Sequence, residues 1–286
     1  MKLATVRTAD GSTQAVRIDG AAAVPVGFPD VGALLAQPNW RELAEAASPG
    51  ASGTEEGLEA GSAAYAPVVP HPGKIFCIGL NYRNHILEMG RDLPEYPTVF
   101  SKYADTLIGA HDDILRPAET TEFDWEAELA VVIGSTVRRA TTAQAEAAIA
   151  GFAVLNDITC RDWQFRTREW LQGKNWEATT PLGPWLVTPD ELPGGVRPAL
   201  AIRAEVDGEV VQQDSTGDLL FDPVALVEYL STIITLRPGD VIATGTPGGV
   251  GHARKPARYL SGGQKVVTEI EGLGRCENIV VDDGGA

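Results

Sequence analysis

Two glutamates lie close together at the start of an apolar run in the middle of the sequence. Glu126 and Glu128 stand immediately before residues 129–133, a short run of β-type residues. Side chains at positions i and i+2 of a strand point to the same face, so both carboxylates are predicted to lie together at the mouth of a buried strand. Repulsion and lost hydration disfavour such a pair unless a cation or a shared proton offsets them. The alternative is a solvated edge on which these glutamates, Glu122 and Asp124 are ordinary surface charges.

A third carboxylate stands at the end of another apolar run. Asp157 comes soon after residues 152–155. Three carboxylates at strand ends can meet in one site, and an all-oxygen set suits a hard cation, Mg²⁺ or Mn²⁺, better than zinc. Three protein ligands leave about three octahedral positions for water or substrate. Glu126, Glu128 and Asp157 are therefore candidate ligands for one divalent cation per chain, and the alternative for each acid taken singly is a surface residue or a helix cap.

A histidine and a glutamate are spaced to share one face of a short helix. Residues 81–90 are predicted to be helical, with Asn81 as the cap and a terminal glycine, and His85 and Glu88 lie three residues apart within them. A neutral imidazole oriented by a carboxylate is a suitable general base for water. The alternative is a surface helix with an incidental histidine. The other histidines have no partner at useful spacing and are expected to be ordinary loop residues: His71, His111 and His252.

The elements that must position these residues are mostly strands. Asp-Gly pairs at residues 10–11, 19–20 and 207–208 predict hairpin turns, and Asp222 followed by proline predicts a helix that runs through Ile233. The sequence has neither βαβ alternation nor a GxGxxG motif. We therefore expect a mainly β or α+β fold with few short helices.

The amino-acid composition changes near residue 66 and suggests two parts of unequal size. Residues 48–61 are rich in Gly, Ser, Ala and Glu, which predicts a loose connector, and three prolines in residues 66–72 mark a boundary. We expect a small N-terminal domain with its linker over residues 1–66 and a main domain over residues 67–286.

The overall charge and apolar content exclude several classes of partner. The net charge of −16 leaves no basic face for nucleic acid, and no apolar run approaches the ~18 residues of a membrane span. The three cysteines form no CxxC pair, which is typical of reduced thiols. We expect a cytoplasmic protein without a nucleic-acid or membrane partner.

Five segments together resemble the fumarylacetoacetate hydrolase family: GLNYRNHILEM, WEAELAVVIG, NDITCRDWQ, GKNWEATTPLGPW and ATGTPGGVG. The resemblance covers roughly residues 70–286 and implies a catalytic domain built as a β-rich roll of mixed sheets, and a homodimer. In the family, an E-x-E pair and a later aspartate hold a divalent cation, which implies this role for Glu126, Glu128 and Asp157. The cation binds the 2-oxo-carboxylate or diketo group of a small acid as a chelate.

The same resemblance implies roles for the residues around the cation. His85 and Glu88 match an H-x-x-E pair on a lid helix, within residues 81–95, that activates water. Lys174, in GKNWE where GKSFD is more usual, would stabilise an oxyanion or enolate. The positions implied to contact substrate are Arg161, Gln164, Thr246 and, on weaker grounds, Lys102. The alternatives are a solvent-facing lysine, structural Arg and Gln side chains, and a tight turn at Thr246.

These features predict a Mg²⁺- or Mn²⁺-dependent hydrolase that cleaves a C–C bond in a 2,4-diketo acid. An acylpyruvate such as fumarylpyruvate is the expected kind of substrate, with water activated by His85 and Glu88. Oxaloacetate decarboxylation, which needs no attacking water, and isomerisation or hydration of a 2-oxo diacid are alternatives within the family. A non-catalytic binding protein is the alternative from another class.

Overall fold

The chain folds into a mixed structure in which strands predominate. The computed structural model describes residues 1–48, 58–88, 90 and 92–284. Its strands are β1 (Lys2–Arg7), β2 (Thr13–Asp19), β3 (Ala22–Pro25), β4 (Leu58–Glu59), β5 (Ile75–Gly79), β6 (Thr98–Lys102), β7 (Leu107–Ile108), β8 (Ile114–Arg116), β9 (Phe123–Asp124), β10 (Ala127–Ile133), β11 (Ile149–Asn156), β12 (Thr159–Cys160), β13 (Thr180–Val187), β14 (Ala201–Val206), β15 (Glu209–Ser215), β16 (Val241–Ala243), β17 (Lys265–Ile270) and β18 (Gly274–Asp282). Its α-helices are α1 (Val31–Leu35), α2 (Trp40–Ala46), α3 (Arg83–Glu88), α4 (Thr142–Ala148), α5 (Arg161–Gln164), α6 (Leu171–Lys174) and α7 (Pro223–Ile233). The predicted class, mainly β or α+β with short helices, is confirmed.

One large mixed sheet organises the molecule. Within the described ranges it has 11 strands, in the order β4-β3-β2-β1-β13-β11-β10-β16-β5-β6, with β7 paired to β13. Strand β10 is buried along its whole length. Its alternate residues, for example Leu129 and Ala130, pack into hydrophobic clusters on opposite faces of the sheet. The buried strand predicted at residues 129–133 is therefore confirmed.

Smaller sheets and helices cover this core. Strands β15-β14-β17-β18-β8 form a second sheet in the described chain, and β9 pairs with β12. The hairpin predicted at residues 207–208 joins β14 to β15, where Val206 pairs with Glu209. Asp222 caps α7 as predicted, because its side chain accepts a hydrogen bond from the Ala225 N–H. No helix in the described residues is long and apolar enough to cross a membrane.

The N-terminal strands extend the large sheet. Hairpins at residues 10–11 and 19–20 connect β1, β2 and β3 as predicted. Strand β1 then pairs with β13 through Lys2 and Leu3. Residues 49–57, which make up most of the predicted connector, lie outside the described residues, and the division at residues 66 and 67 stays a prediction.

Three strand ends meet at the beginning of β10. Strand β11 is antiparallel to β10, with Ala127 opposite Asn156, so the next residue, Asp157, donates its N–H to the Glu126 carbonyl at 2.8 Å. Strand β16 is antiparallel to the other side of β10. Its end therefore also lies at this edge, where the Gly245 N–H reaches the Glu128 carboxylate at 2.8 Å. The topology thus brings residues remote in sequence to one place.

Candidate metal and substrate site

Three acidic side chains converge where these strand ends meet. Glu126, Glu128 and Asp157 each offer a carboxylate oxygen, and these oxygens all lie within 4.8 Å of one another. All three residues are buried, with 7%, 1% and 0% of their surface exposed. The strand periodicity explains the two glutamates, and the β10–β11 register explains the aspartate. The alternative of a solvated edge is therefore wrong for both glutamates.

Buried lysines neutralise two of these carboxylates. Lys174 Nζ lies 2.7 Å from Glu126 Oε2 and 2.8 Å from Asp157 Oδ2, and Lys102 Nζ lies 2.7 Å from Asp157 Oδ1. Burial alone would raise the pKa of Asp157, but the two ammonium groups hold it below its ordinary value. Burial likewise acts against the charge on Lys174, and its acidic partners outweigh it and raise its pKa. Asp157 and Lys174 therefore both stay charged near neutral pH.

Glu128 differs from the other two acids, because no lysine or arginine in the described chain forms an ion pair with it. Burial raises the pKa of Glu128 well above its usual range, and the charges of Asp157 and Glu126 raise it further. A divalent cation held between the three carboxylates would supply the positive charge that Glu128 lacks. The donor set is entirely oxygen, so these residues fit a hard cation such as Mg²⁺ or Mn²⁺.

Arg161 connects the acidic cluster to a fourth buried acid. Its Nη2 lies 2.7 Å from Glu126 Oε1, its Nε donates to Asp124 Oδ2 at 2.8 Å, and its Nη1 donates to Gln164 Oε1 at 2.9 Å. Asp124 is completely buried and also accepts the main-chain N–H groups of Gly251 and His252. Asp124 is therefore a structural clamp, and its interpretation as a surface charge is wrong.

Thr246 lies at the cavity wall with its hydroxyl already engaged. The hydroxyl donates to the Ala127 carbonyl at 2.9 Å and accepts from Gln212 Nε2 at 2.8 Å. No hydrogen bond within the described residues uses the Thr246 N–H. The preceding Gly245 has φ +99°, where a Cβ would lie 2.8 Å from the Ile78 carbonyl, so this turn requires glycine.

A cavity of about 250 Å³ opens onto the acidic cluster. Its apolar wall includes Ile78, Phe100 and Trp170, and its polar lining consists of Glu126, Glu128, Arg161, Gln164, Lys174, Thr246, His85 and His252. The structure therefore brings most of the predicted site residues to one cavity. Lys102 instead lies behind Asp157, with its side chain fully buried.

The two histidines of the cavity come from different segments. His85 belongs to α3, which begins at Arg83 as the predicted short helix. The side chain of Glu88 lies outside the described part of the structure, so its pairing with His85 stays a prediction. His252 was expected to be an ordinary loop residue, and this is wrong: it lines the cavity, and its Nδ1 lies 3.0 Å from the Tyr259 hydroxyl. Its partner is a tyrosine, so the spacing of acidic residues and histidines in the sequence does not indicate this role.

Asn81 also differs from its prediction. Its side-chain amide donates to the carbonyls of Thr244 and Phe221, and its oxygen accepts the Phe221 N–H. The amide therefore joins the end of β5 to the end of β16 instead of capping α3. This junction lies directly before α3, which begins at Arg83.

Helices α5 and α6 pack closely enough to require glycine between them. A Cβ on Gly173 would lie 2.5–2.6 Å from Gln164 atoms, including its backbone. Gly173→Ala should therefore force the helices apart, displace Lys174 and lower the free energy of unfolding by about 1–3 kcal/mol. Denaturant unfolding checks this result.

The matched control is Gly61→Ala, because a Cβ there meets nothing within 4 Å. This control should change stability by less than about 0.5 kcal/mol. Equal stability of the two variants would contradict the proposed close packing of α5 and α6.

A protein-family profile described as "Fumarylacetoacetate (FAA) hydrolase C-terminal" matches residues 74–281. The matched region contains the three acids, His85, Lys174 and the whole cavity lining. The chain belongs to the fumarylacetoacetate hydrolase family. Members of this family are enzymes that act on small molecules, and the resemblance noted in the sequence is confirmed.

Similar proteins within the family carry different named activities. Oxaloacetate tautomerase Fahd2a, mitochondrial, of Rattus norvegicus is 42% identical over 217 residues, which are 76% of this chain and 68% of the relative. The structure of fumarylacetoacetate hydrolase from psychrophilic Exiguobacterium antarcticum has a TM-score of 0.84 and 29% identity, over 99% of this chain and 100% of that one. Maleylpyruvate hydrolase from Sphingobium sp. SYK-6 has a TM-score of 0.80 and 25% identity, over 99% and 100%. Proteins similar to this chain are therefore named both as isomerases and as hydrolases.

Proposed function

We propose that this protein interconverts the keto and enol forms of a small 2-oxo diacid, with oxaloacetate as the first substrate to test. The observation that carries the proposal is a cavity of about 250 Å³ lined by Glu126, Glu128 and His85. This volume lies below the range of about 300–1,000 Å³ typical of pockets for drug-sized ligands, so it favours a compact acid. The similarity to oxaloacetate tautomerase supports the same substrate class.

Glu126, Glu128 and Asp157 would hold the divalent cation. When bound, the cation would draw electron density from the 2-oxo group and stabilise negative charge that develops there. The all-oxygen donor set suits Mg²⁺ or Mn²⁺, and the physiological choice between them is part of the test below.

His85 would carry the proton between carbon and oxygen. Enolisation removes a proton from carbon 3 of the keto acid and adds one to the oxygen on carbon 2, so the overall reaction needs neither water nor a leaving group. An imidazole has a pKa of about 6.5 in its unperturbed state and can take and return a proton near neutral pH. Glu88 is proposed to orient this imidazole.

Three other residues have donors suited to the acid end of the substrate. Lys174 carries three N–H donors, and two of them contact Glu126 and Asp157, so the third can stabilise an enolate oxygen. The Gln164 side-chain oxygen accepts a hydrogen bond from Arg161, so the amide N–H groups of Gln164 can bind the substrate. The Thr246 N–H can bind the carboxylate, a role for which its engaged hydroxyl is less suited.

Hydrolysis of a 2,4-diketo acid is the second candidate. A cavity lined by His85 and the two glutamates would also suit activation of a water molecule, and the similarity to maleylpyruvate hydrolase supports this chemistry. Decarboxylation of oxaloacetate needs no general base, so His85 gives no reason to prefer it.

The test separates these reactions by their products. Chelator-treated protein is supplied with Mg²⁺ or Mn²⁺ and given enol oxaloacetate, whose ultraviolet absorbance decays on ketonisation, and pyruvate is measured in parallel. We expect faster decay of the enol without matching release of pyruvate. Faster cleavage of fumarylpyruvate to fumarate and pyruvate would instead favour the hydrolase, and acceleration of neither reaction would overturn the proposal.

Binding of the cation should also stabilise the protein. A ligand that binds only the folded state adds about 2.7 kcal/mol of stability when its concentration is 100 times its Kd. We therefore expect Mg²⁺ or Mn²⁺ to raise the Tm and a chelator to lower it again. Sodium chloride at matched ionic strength is the control, and an equal Tm shift with it would indicate general screening of the acidic surface.

A further inference from the structure

We propose that His252 is a specificity-determining residue that binds the distal carboxylate of the substrate, the one remote from the cation. The inference rests on the proposed function, because it concerns the other end of the same small diacid. It assigns to this chain a preference for 2-oxo diacids over 2-oxo acids that lack the second carboxylate.

The other cations of the cavity are already paired with protein acids. Arg161 contacts Glu126 and Asp124, and Lys174 lies between Glu126 and Asp157. The one remaining donor of Lys174 faces the enolate oxygen in the proposed reaction. A second carboxylate from the substrate would therefore need another hydrogen-bond donor in the cavity, because a carboxylate that loses hydration without gaining a donor is disfavoured. His85 is committed to proton transfer, which leaves His252.

Tyr259 and Glu122 hold the His252 ring in one orientation. The Tyr259 hydroxyl lies 3.0 Å from Nδ1, and the Glu122 carboxylate lies near both groups. Burial and the charge of Glu122 raise the pKa of Tyr259 to about 12, so the hydroxyl keeps a proton that it can donate to Nδ1. With Nδ1 engaged by the Tyr259 hydroxyl, Nε2 has no hydrogen bond or ion pair within the described residues. The tautomer that accepts at Nδ1 carries its proton on Nε2, where a carboxylate can accept it. Glu122 Oε2 lies 3.9 Å from Nδ1, so Glu122 and Tyr259 both face the Nδ1 side of the ring.

The main chain at His252 is fixed relative to the cation site. Both Gly251 and His252 donate their N–H groups to Asp124, at 2.7 and 3.0 Å, and Asp124 also receives Arg161 Nε. A Cβ at Gly251 would lie 1.9 Å from the Arg258 carbonyl, so the loop can approach this closely only with glycine there. One rigid set of contacts therefore runs from His252 through Asp124 and Arg161 to Glu126.

An aromatic ring packs against the imidazole of His252. The rings of Phe165 and His252 have centroids 5.2 Å apart with a tilt of 36°. Both residues line the cavity. This contact helps to hold the ring at the cavity wall, where 43% of the His252 side chain is exposed.

Two ligand pairs test the assignment. Oxaloacetate and acetylpyruvate share the 2-oxo acid end, but acetylpyruvate has a methyl ketone in place of the distal carboxylate. N-oxalylglycine and oxamate form a non-reacting pair with the same contrast. Calorimetric binding to the Mn²⁺-loaded protein therefore measures the preference even if oxaloacetate is not turned over, which separates failure of this inference from failure of the proposed function.

His252→Leu should weaken N-oxalylglycine binding and raise the KM for oxaloacetate by about 10- to 100-fold, the value of one charge-assisted hydrogen bond. Binding of oxamate and the kcat should change little. His252→Gln keeps a side-chain N–H donor and should recover part of the loss, and Tyr259→Phe should show a smaller loss of the same selectivity.

Three results would overturn the assignment. One is wild-type protein that binds N-oxalylglycine no better than oxamate. Another is that His252→Leu weakens the binding of N-oxalylglycine and of oxamate equally, which would indicate a structural role. The third is unchanged binding of both. If His252→Leu does not fold, the His252→Gln and Tyr259→Phe variants decide by the same comparison.

Discussion

Glu128→Gln should abolish cation-dependent activity while leaving the fold intact. Loss of a direct ligand should lower activity by more than about 100-fold, since even residues that only support a ligand are worth roughly 10–100-fold. The amide oxygen can still accept the Gly245 N–H, now 2.8 Å from the carboxylate. The substitution leaves no orphaned cation, because no lysine or arginine of the described chain is paired with Glu128. The stability of the metal-free protein should therefore be unchanged or slightly higher.

Asp157 would be a poorer choice for this experiment. It is paired with both Lys102 and Lys174, and removal of one partner from a buried ion pair typically costs about 3–5 kcal/mol. A loss of activity in Asp157→Asn would mix a lost ligand with partial unfolding. The contrast is itself a prediction, since Asp157→Asn should lower the Tm in the absence of metal and Glu128→Gln should not.

The measurements are the enol assay and the Tm with and without Mn²⁺. Glu128→Gln should lose both the activity and the rise in Tm that the cation produces. Glu169→Gln is the matched control, because Glu169 is exposed and lies outside the cavity lining. Activity in Glu128→Gln equal to that of the control would contradict the assignment of the cation to this cluster.

The strands, turns and helix cap around the site were predicted well from the sequence, because each depends on residues that are close together in the chain. The period of two along β10 places Glu126 and Glu128 on one face, and an apolar run identifies the strand that ends before Asp157. Asp-Gly turns and the Asp222 cap are equally local. The arrangement of the three acids within 4.8 Å then follows once β10 and β11 are neighbours.

Contacts that connect distant segments could not be found in this way. Asp124 resembled a surface charge because its partners, Arg161, Gly251 and His252, lie 37 to 128 residues away in the sequence. His252 resembled a loop residue for the same reason, since its position in the cavity depends on that clamp. Asn81 precedes a short helix and so resembled a cap, but its amide instead bonds to three main-chain groups of Thr244 and Phe221, which are remote in the sequence. In each case a tertiary hydrogen bond decided the role of a polar residue.

His85→Gln should separate proton transfer from binding. Glutamine keeps a polar side chain in the cavity wall but cannot carry a proton near neutral pH, so the rate of enol decay should fall by about 100- to 10,000-fold. Binding of N-oxalylglycine should change little, because this ligand contacts His252 and the cation-binding end in the proposed arrangement. His71→Ala, an exposed histidine outside the cavity lining, is the control and should keep full activity.

Decarboxylation provides an internal comparison for the same variant. Release of carbon dioxide from oxaloacetate needs stabilised negative charge at the 2-oxo group but no general base, so any decarboxylation by the wild-type protein should survive in His85→Gln. His85→Ala in the presence of added imidazole should recover part of the tautomerase activity, because the truncated side chain leaves room beside the substrate. An equal loss of tautomerisation and decarboxylation, without rescue by imidazole, would instead show that His85 supports the cavity wall and does not move the proton.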